Sequence, residues 1–213
     1  GGFVGCSART HRPITAAFAL QGLRVFVPNY RLAPEHAFPA APQDVLAVYR
    51  ALRAQAPHAR ITVAGDSAGG NLALGLMLTL RDAGEPLPQA AALFSAALDM
   101  TGASPSFTLN AKHDAMFDPE QLPHLTEAYL AGADPAQPLA SPLMGDMNGL
   151  PPKLLHVGES ELLRDDSIRL AQKAREASVT VQLKVFAAVA HVWQLVHQLP
   201  ESRRSVRDAA KFL

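Results

Sequence analysis

The chain of 213 residues has a single cysteine, Cys6. No disulfide can therefore form within it, and no cysteine pair is available to hold a metal. A small buried thiol near the active site is the expected role of Cys6. Net charge is missing as well: 19 Lys and Arg balance 19 Asp and Glu. No global field exists to recruit nucleic acid or an anionic membrane surface. The basic cluster Arg203, Arg204 and Arg207 lies among Glu201 and Asp208 and reads as a solvated helix face. No apolar run approaches the ~20 residues needed to span a bilayer. Internal repeats and low-complexity tracts are absent too.

What the sequence has is alternation. Leu23–Val27, Arg60–Ala64, Ala90–Ser95, Lys153–Val157 and Val179–Phe186 read as strands, being short apolar or β-branched runs bounded by turn residues. Helical periodicity covers Gln43–Ala54, Ala68–Asp82, Ser167–Ala177 and Glu201–Leu213. Strands alternating with helices predict βαβ units, and therefore an α/β chain with a mostly parallel sheet flanked by helices in one domain, residues 1–213. The interval from about 100 to 152 breaks the rhythm. It is rich in Pro, Gly and Asp, with one helical stretch near Pro119–Leu130. We read it as an excursion over the carboxyl ends of the strands, where such folds place their ligand sites.

Gly65-Asp66-Ser67-Ala68-Gly69 fits the pattern G-x-S-x-G. Five residues alone are weak evidence, but a β-branched strand runs into this pattern and an apolar helix runs out of it. That strand–turn–helix context is the one a nucleophile elbow requires. The turn lifts the Ser67 hydroxyl above the sheet at a helix N-terminus, where the Ala68 N–H can face a developing oxyanion. Small residues two positions either side of the serine are expected because larger ones would strike the sheet or the following helix.

At this point the sequence resembles the hormone-sensitive-lipase-like esterases, family IV of the bacterial lipolytic enzymes, within the α/β hydrolases. The matching stretches run in order: Gly1-Gly2-Phe3-Val4, Tyr30-Arg31-Leu32-Ala33-Pro34-Glu35-His36, Gly65–Asn71, Ala133-Asp134-Pro135, Ser141-Pro142-Leu143 and His191-Val192-Trp193. The resemblance implies oxyanion donors at the backbone N–H groups of Gly1, Gly2 and Ala68. In that family His-Gly precedes the glycines, so the chain is expected to begin inside the motif. It would then lack the N-terminal strands and the N-terminal cap segment, fold poorly on its own and show little activity.

A serine nucleophile needs a base, and the base an orienting acid, in the chain order Ser, acid, His for this fold. His11, His36 and His58 precede Ser67. His113 and His124 lie in the excursion, and His156 sits inside a strand. His191 follows the last strand, where the family's His-x-Trp/Phe pattern also falls, and is the expected base. The acid should follow the strand ending at Val157, with Glu159, Glu161, Asp165 and Asp166 as candidates. The resemblance favours Glu161, although relatives more often carry Asp there. Asp165 and Asp166 suit the cap and first turn of the next helix.

Arg31, Glu35 and Asp44 are expected to tie the Tyr30–Ala41 loop beneath the oxyanion loop. Asp66 is expected to brace the elbow through hydrogen bonds. Phe3, Met116, Phe117, Leu143, Met144, Leu163 and Trp193 are the apolar candidates for a substrate wall.

The reading is a Ser67–His191–Glu161 carboxylester hydrolase acting through an acyl-enzyme on short- to medium-chain acyl esters or lactones. Nothing implies a metal or other cofactor, and the expected partner is a small-molecule ester. Homodimerisation stays open, as does the compartment, with the cytoplasm favoured. The rivals are a non-catalytic small-molecule binder of the same fold and an acyltransferase on the same triad.

Overall fold

The computed structural model describes residues 2–213. Seven helices of four or more residues and four strands alternate along the described chain. They are α1 (Arg12–Leu20), α2 (Ala40–Gln55), β1 (Val63–Asp66), α3 (Ala68–Asp82), β2 (Ala91–Phe94), α4 (Ser106–Leu109), α5 (Leu122–Leu130), β3 (Lys153–Gly158), α6 (Arg164–Glu176), β4 (Val181–Phe186) and α7 (Pro200–Phe212). The sheet order is β1-β2-β3-β4, and each neighbouring pair is parallel. Parallel neighbours need a crossover connection, and with sequential order each crossover returns the chain to the same end of the sheet. All four carboxyl ends consequently lie along one edge.

The strands alternate cleanly between two cores. Ala91, Leu93 and Leu155 pack with Leu74, Met77 and Leu78 of α3 and Leu170 and Ala171 of α6. Ala92, Phe94 and Leu154, one residue out of phase, pack with Ile14 and Phe18 of α1 and Val206 and Ala209 of α7. This period of two places a helical layer on each face of a sheet that reads in sequence as continuously apolar.

Leu23–Val27 departs from its expected strand. It carries no ladder, and Phe26 is largely exposed. β-character in a short apolar run becomes a strand only where a neighbour completes the hydrogen bonds, and no described neighbour does. The expected strand at Arg60–Ala64 forms two to three residues further on, at Val63–Asp66, where Ala91–Phe94 supplies the partner. Helix α1 was not foreseen, although Pro13 in its first turn is a helix-start signal. Asp165 and Asp166 fall in the first turn of α6 but neither caps it, because Leu163 occupies the cap position. Cys6 is exposed rather than buried, with a positive φ of 72°. Arg203, Arg204 and Arg207 are exposed, in keeping with a solvated face of α7.

Candidate active site

Each strand leads into a residue of the candidate site. β1 runs directly into Ser67, which lies between Asp66 and the first residue of α3 with φ 51° and ψ −119°. A non-glycine residue there is strained by about 1–3 kcal/mol. The strain is held by backbone bonds on both sides: Ser67 N–H donates to Phe94 O at 2.9 Å, and Ser67 O accepts from Gly70 and Ala97.

The need for small neighbours is borne out at two glycines, one of them not the expected one. A Cβ on Gly65 would sit 2.2 Å from the Gly69 carbonyl oxygen, and one on Gly70 would sit 2.5 Å from the Ala96 Cβ. Gly69 itself has open space around it. As the first residue of α3, Ala68 has an N–H with no acceptor inside the helix. Gly2 follows a left-handed path with φ 68° and is exposed. Gly1, the other expected oxyanion donor, lies outside the described residues.

β3 ends at Gly158 and the chain turns through Glu161; β4 ends at Phe186 and leads to His191. The two side chains meet, with His191 Nδ1 2.7 Å from Glu161 Oε2, and they are 5 % and 1 % exposed respectively. With Nδ1–H donating to the carboxylate, Nε2 is left with its lone pair free to act as a base. His191 also lies within electrostatic range of Asp66, the residue before Ser67. The ring of Phe117 stands edge-on to His191 at 4.6 Å between centroids.

The other Glu161 oxygen was not accounted for by sequence reasoning, and neither was Ser95. Oε1 accepts from Gly158 N–H at 2.6 Å and from Ser95 Oγ at 2.8 Å. Ser95 follows β2, is fully buried, has φ 47°, and accepts from Val192 N–H at 3.3 Å. One hydroxyl thus links Glu161 to the residue after His191. Val192 is itself left-handed at φ 51°, an outlier for a β-branched side chain. In the sequence Ser95 stands out only as the polar residue closing an apolar strand, which does not reveal its partner.

Other expectations fare variously. Asp66 braces the elbow through His11 Nε2 at 3.0 Å. Burial would raise its pKa, but that hydrogen bond and the charge of His11 outweigh it and hold the carboxyl below its ordinary value. Arg31 forks onto Asp44 at 2.8–3.0 Å, and Ala33 N–H reaches Phe3 O, so this loop is tied as expected. Glu35 is exposed and takes no part in the fork.

Among the apolar candidates, Phe3 is buried and stacked on Tyr129 at 3.7 Å. Trp193 is buried and packed on Phe186 at 4.8 Å. Leu143 and Leu163 are buried, Phe117 is half-buried, Met144 is on the surface, and Met116 is 58 % exposed. Asp166 is buried, accepting from Leu98 and Asp99 N–H and from Ser104. Burial drives its pKa up to about 6 against those bonds. Asp165 pairs with Arg164. Of the four acid candidates, Glu161 alone has a bond to His191 among the described residues. Among those residues, too, no group of three His, Cys, Asp or Glu side chains is arranged to hold a metal, and no helix is long and apolar enough to cross a membrane.

Residues 1–195 match the family described as the α/β-hydrolase fold. The chain belongs to that family. Within it, this α/β hydrolase is 42 % identical to an acetyl-hydrolase of Streptomyces hygroscopicus over 216 aligned residues, which span all of this chain and 72 % of the relative. It is 38 % identical to an esterase of Acinetobacter venetianus, spanning 71 % of that protein. A solved esterase of the bacterial hormone-sensitive lipase family superposes with a TM-score of 0.95 at 42 % identity, over the whole chain and 72 % of that structure. A hormone-sensitive lipase from a metagenome library superposes with a TM-score of 0.95 at 37 % identity, over the whole chain and 74 % of that structure. This α/β hydrolase is therefore an enzyme of carboxylesterase type, in the hormone-sensitive-lipase-like group.

Proposed function

We propose that the protein hydrolyses short- to medium-chain acyl esters through Ser67, His191 and Glu161. The observation that carries this reading is the buried 2.7 Å pair of Glu161 and His191 at the carboxyl edge that also bears the strained Ser67. Ser67 Oγ attacks the ester carbonyl while His191 Nε2 takes its proton, a general-base contribution of ~10²–10⁴ in rate. The negative carboxylate of Glu161 holds the imidazole in the required tautomer and stabilises the imidazolium that forms. The Ala68 N–H at the start of α3, with Gly1 and Gly2 N–H, receives the oxyanion, each donor being worth about 3 kcal/mol in the transition state. His191 then returns the proton to the leaving alcohol. A water activated by the same imidazole releases the acid from the acyl-enzyme.

The acetyl-hydrolase among the relatives supports the short end of the acyl range. Lactones, as cyclic esters, suit the same chemistry. A purely binding role has less support, because it would give no use to a strained serine at the same end of the sheet as a buried His–Glu pair.

Intact mass after fluorophosphonate treatment tests the assignment, with Ser67→Ala alongside and circular dichroism on both. A single adduct that disappears in Ser67→Ala is expected. Steady-state ester hydrolysis undiminished in Ser67→Ala would refute it.

A further inference from the structure

Glu161 sits on a loop that owes its shape to side chains from the excursion. Ser106 Oγ donates to Leu162 O at 2.6 Å and accepts from Asp165 N–H at 3.0 Å. Asn110 Nδ2 donates to Glu159 O at 3.0 Å and to Glu161 O at 2.8 Å. Asp114 Oδ2 accepts from Leu162 N–H at 2.7 Å. The three residues recur every fourth position, and the turn is continued by Asn110 N–H to Ser106 O and Asp114 N–H to Asn110 O. They therefore line one face and meet one loop.

Asp114 has a second function in the same contact. Its Oδ1 accepts from Met116 N–H at 2.8 Å and Phe117 N–H at 3.0 Å. Those bonds set the turn that stands the Phe117 ring against His191. One carboxylate thus grips both neighbours of the imidazole: the acid loop through Oδ2 and the aromatic wall through Oδ1. Leu162 is bonded to Glu161, so displacement of its N–H moves the acid directly.

We infer that Asp114 is a positioning residue that couples the Met116–Phe117 wall to the Glu161–His191 pair, so that this wall governs turnover as well as substrate fit. The inference rests on the proposed roles of His191 and Glu161. Asp114 touches no reacting atom; it acts by holding two groups that do. A misplacement of about 1 Å at such a pair lowers kcat by up to ~10²-fold.

The test compares Asp114→Asn and Asp114→Ala with the parent and Ser67→Ala, using p-nitrophenyl acetate from pH 5 to 9 together with thermal melts. Asn keeps one acceptor oxygen and a similar shape, so it can serve the Phe117 turn or Leu162 N–H but not both. Asp114→Ala is expected to lose ~10- to 100-fold in kcat with KM changed less than about threefold. Asp114→Asn is expected to recover part of that loss.

Of the charged groups, Glu161 faces His191 directly and Asp66 more distantly. A loosened Glu161 stabilises the imidazolium less, so the acid limb of kcat/KM should move to lower pH in both variants. If Asp114→Ala does not fold, Asp114→Asn decides alone. An Asp114→Asn enzyme with kcat within twofold of the parent and an unmoved acid limb overturns the inference. If that result comes with hydrolysis still abolished by Ser67→Ala, the proposed triad survives. Hydrolysis that persists in Ser67→Ala overturns the triad, and the inference with it.

Discussion

Removing the Ser95 hydroxyl is the sharpest probe of the acid–base pair that leaves every proposed reacting group in place. Ser95→Ala deletes the 2.8 Å bond to Glu161 Oε1 and the 3.3 Å bond from Val192 N–H. Glu161 keeps Gly158 N–H on Oε1 and His191 on Oε2, so the carboxylate stays beside the imidazole with one anchor fewer. A hydrogen bond to a charged group contributes about 1.5–3 kcal/mol. The bond matters most when His191 is protonated and pulls on the carboxylate, so most of that energy should appear in the barrier. The corresponding fall in kcat/KM is ~10- to 150-fold. The buried Val192 N–H, left without its acceptor, should lower stability by about 1–3 kcal/mol. Initial rates on p-nitrophenyl acetate, with KM and a thermal melt, separate the two effects. A variant within twofold of the parent in kcat/KM at an unchanged Tm would show that Ser95 orients nothing.

Two further perturbations test the scaffold. Gly70→Ala should destabilise by about 1–3 kcal/mol, because its Cβ would meet Ala96 at 2.5 Å. Gly69→Ala, with open space, should instead gain about 0.5–1 kcal/mol from helix propensity. Melting temperatures that move the same way for both would contradict the steric argument. His156 is buried against Ser205 Oγ at 2.8 Å, and burial pushes its pKa down to about 4. An unfolded histidine titrates near 6.5, so between roughly pH 6.5 and 4 the unfolded state binds more protons. Stability should therefore fall as pH drops through that window, by up to about 3 kcal/mol from this residue. His156→Gln should flatten the dependence, and denaturant unfolding at pH 7 and 4.5 would measure it. Equal slopes in parent and variant would disprove it.

The elbow was legible because its determinants are contiguous: a strand, a tight turn and a helix written over Arg60–Asp82. The pairing of His191 with Glu161 was legible because each follows an identifiable strand and falls at a family position, Glu161 with Glu in place of the commoner Asp. Ser95 was not, since its partner Glu161 is 66 residues away and no local pattern encodes that approach. Ser106, Asn110 and Asp114 lay in the stretch that looked least regular. There, the spacing of polar residues carries the information, and hydrophobic periodicity is silent. Leu23–Val27 failed for the opposite reason: its local preference is clear, but a strand is a property of two segments. Gly70 rather than Gly69 meets the steric wall because the neighbour that decides is Ala96, beyond the next strand.

The order of the sheet also has a temporal side. Because β1 to β4 lie side by side in the order in which they are written, a ribosome delivers the elbow first and His191 last. At ordinary rates of synthesis the interval is on the order of ten seconds. Until Glu161 and then His191 emerge, the nascent chain bears Ser67 without its proposed acid and base. On the proposed triad, the last strand and its loop complete the machinery, and an unfinished copy lacks the base that would activate Ser67.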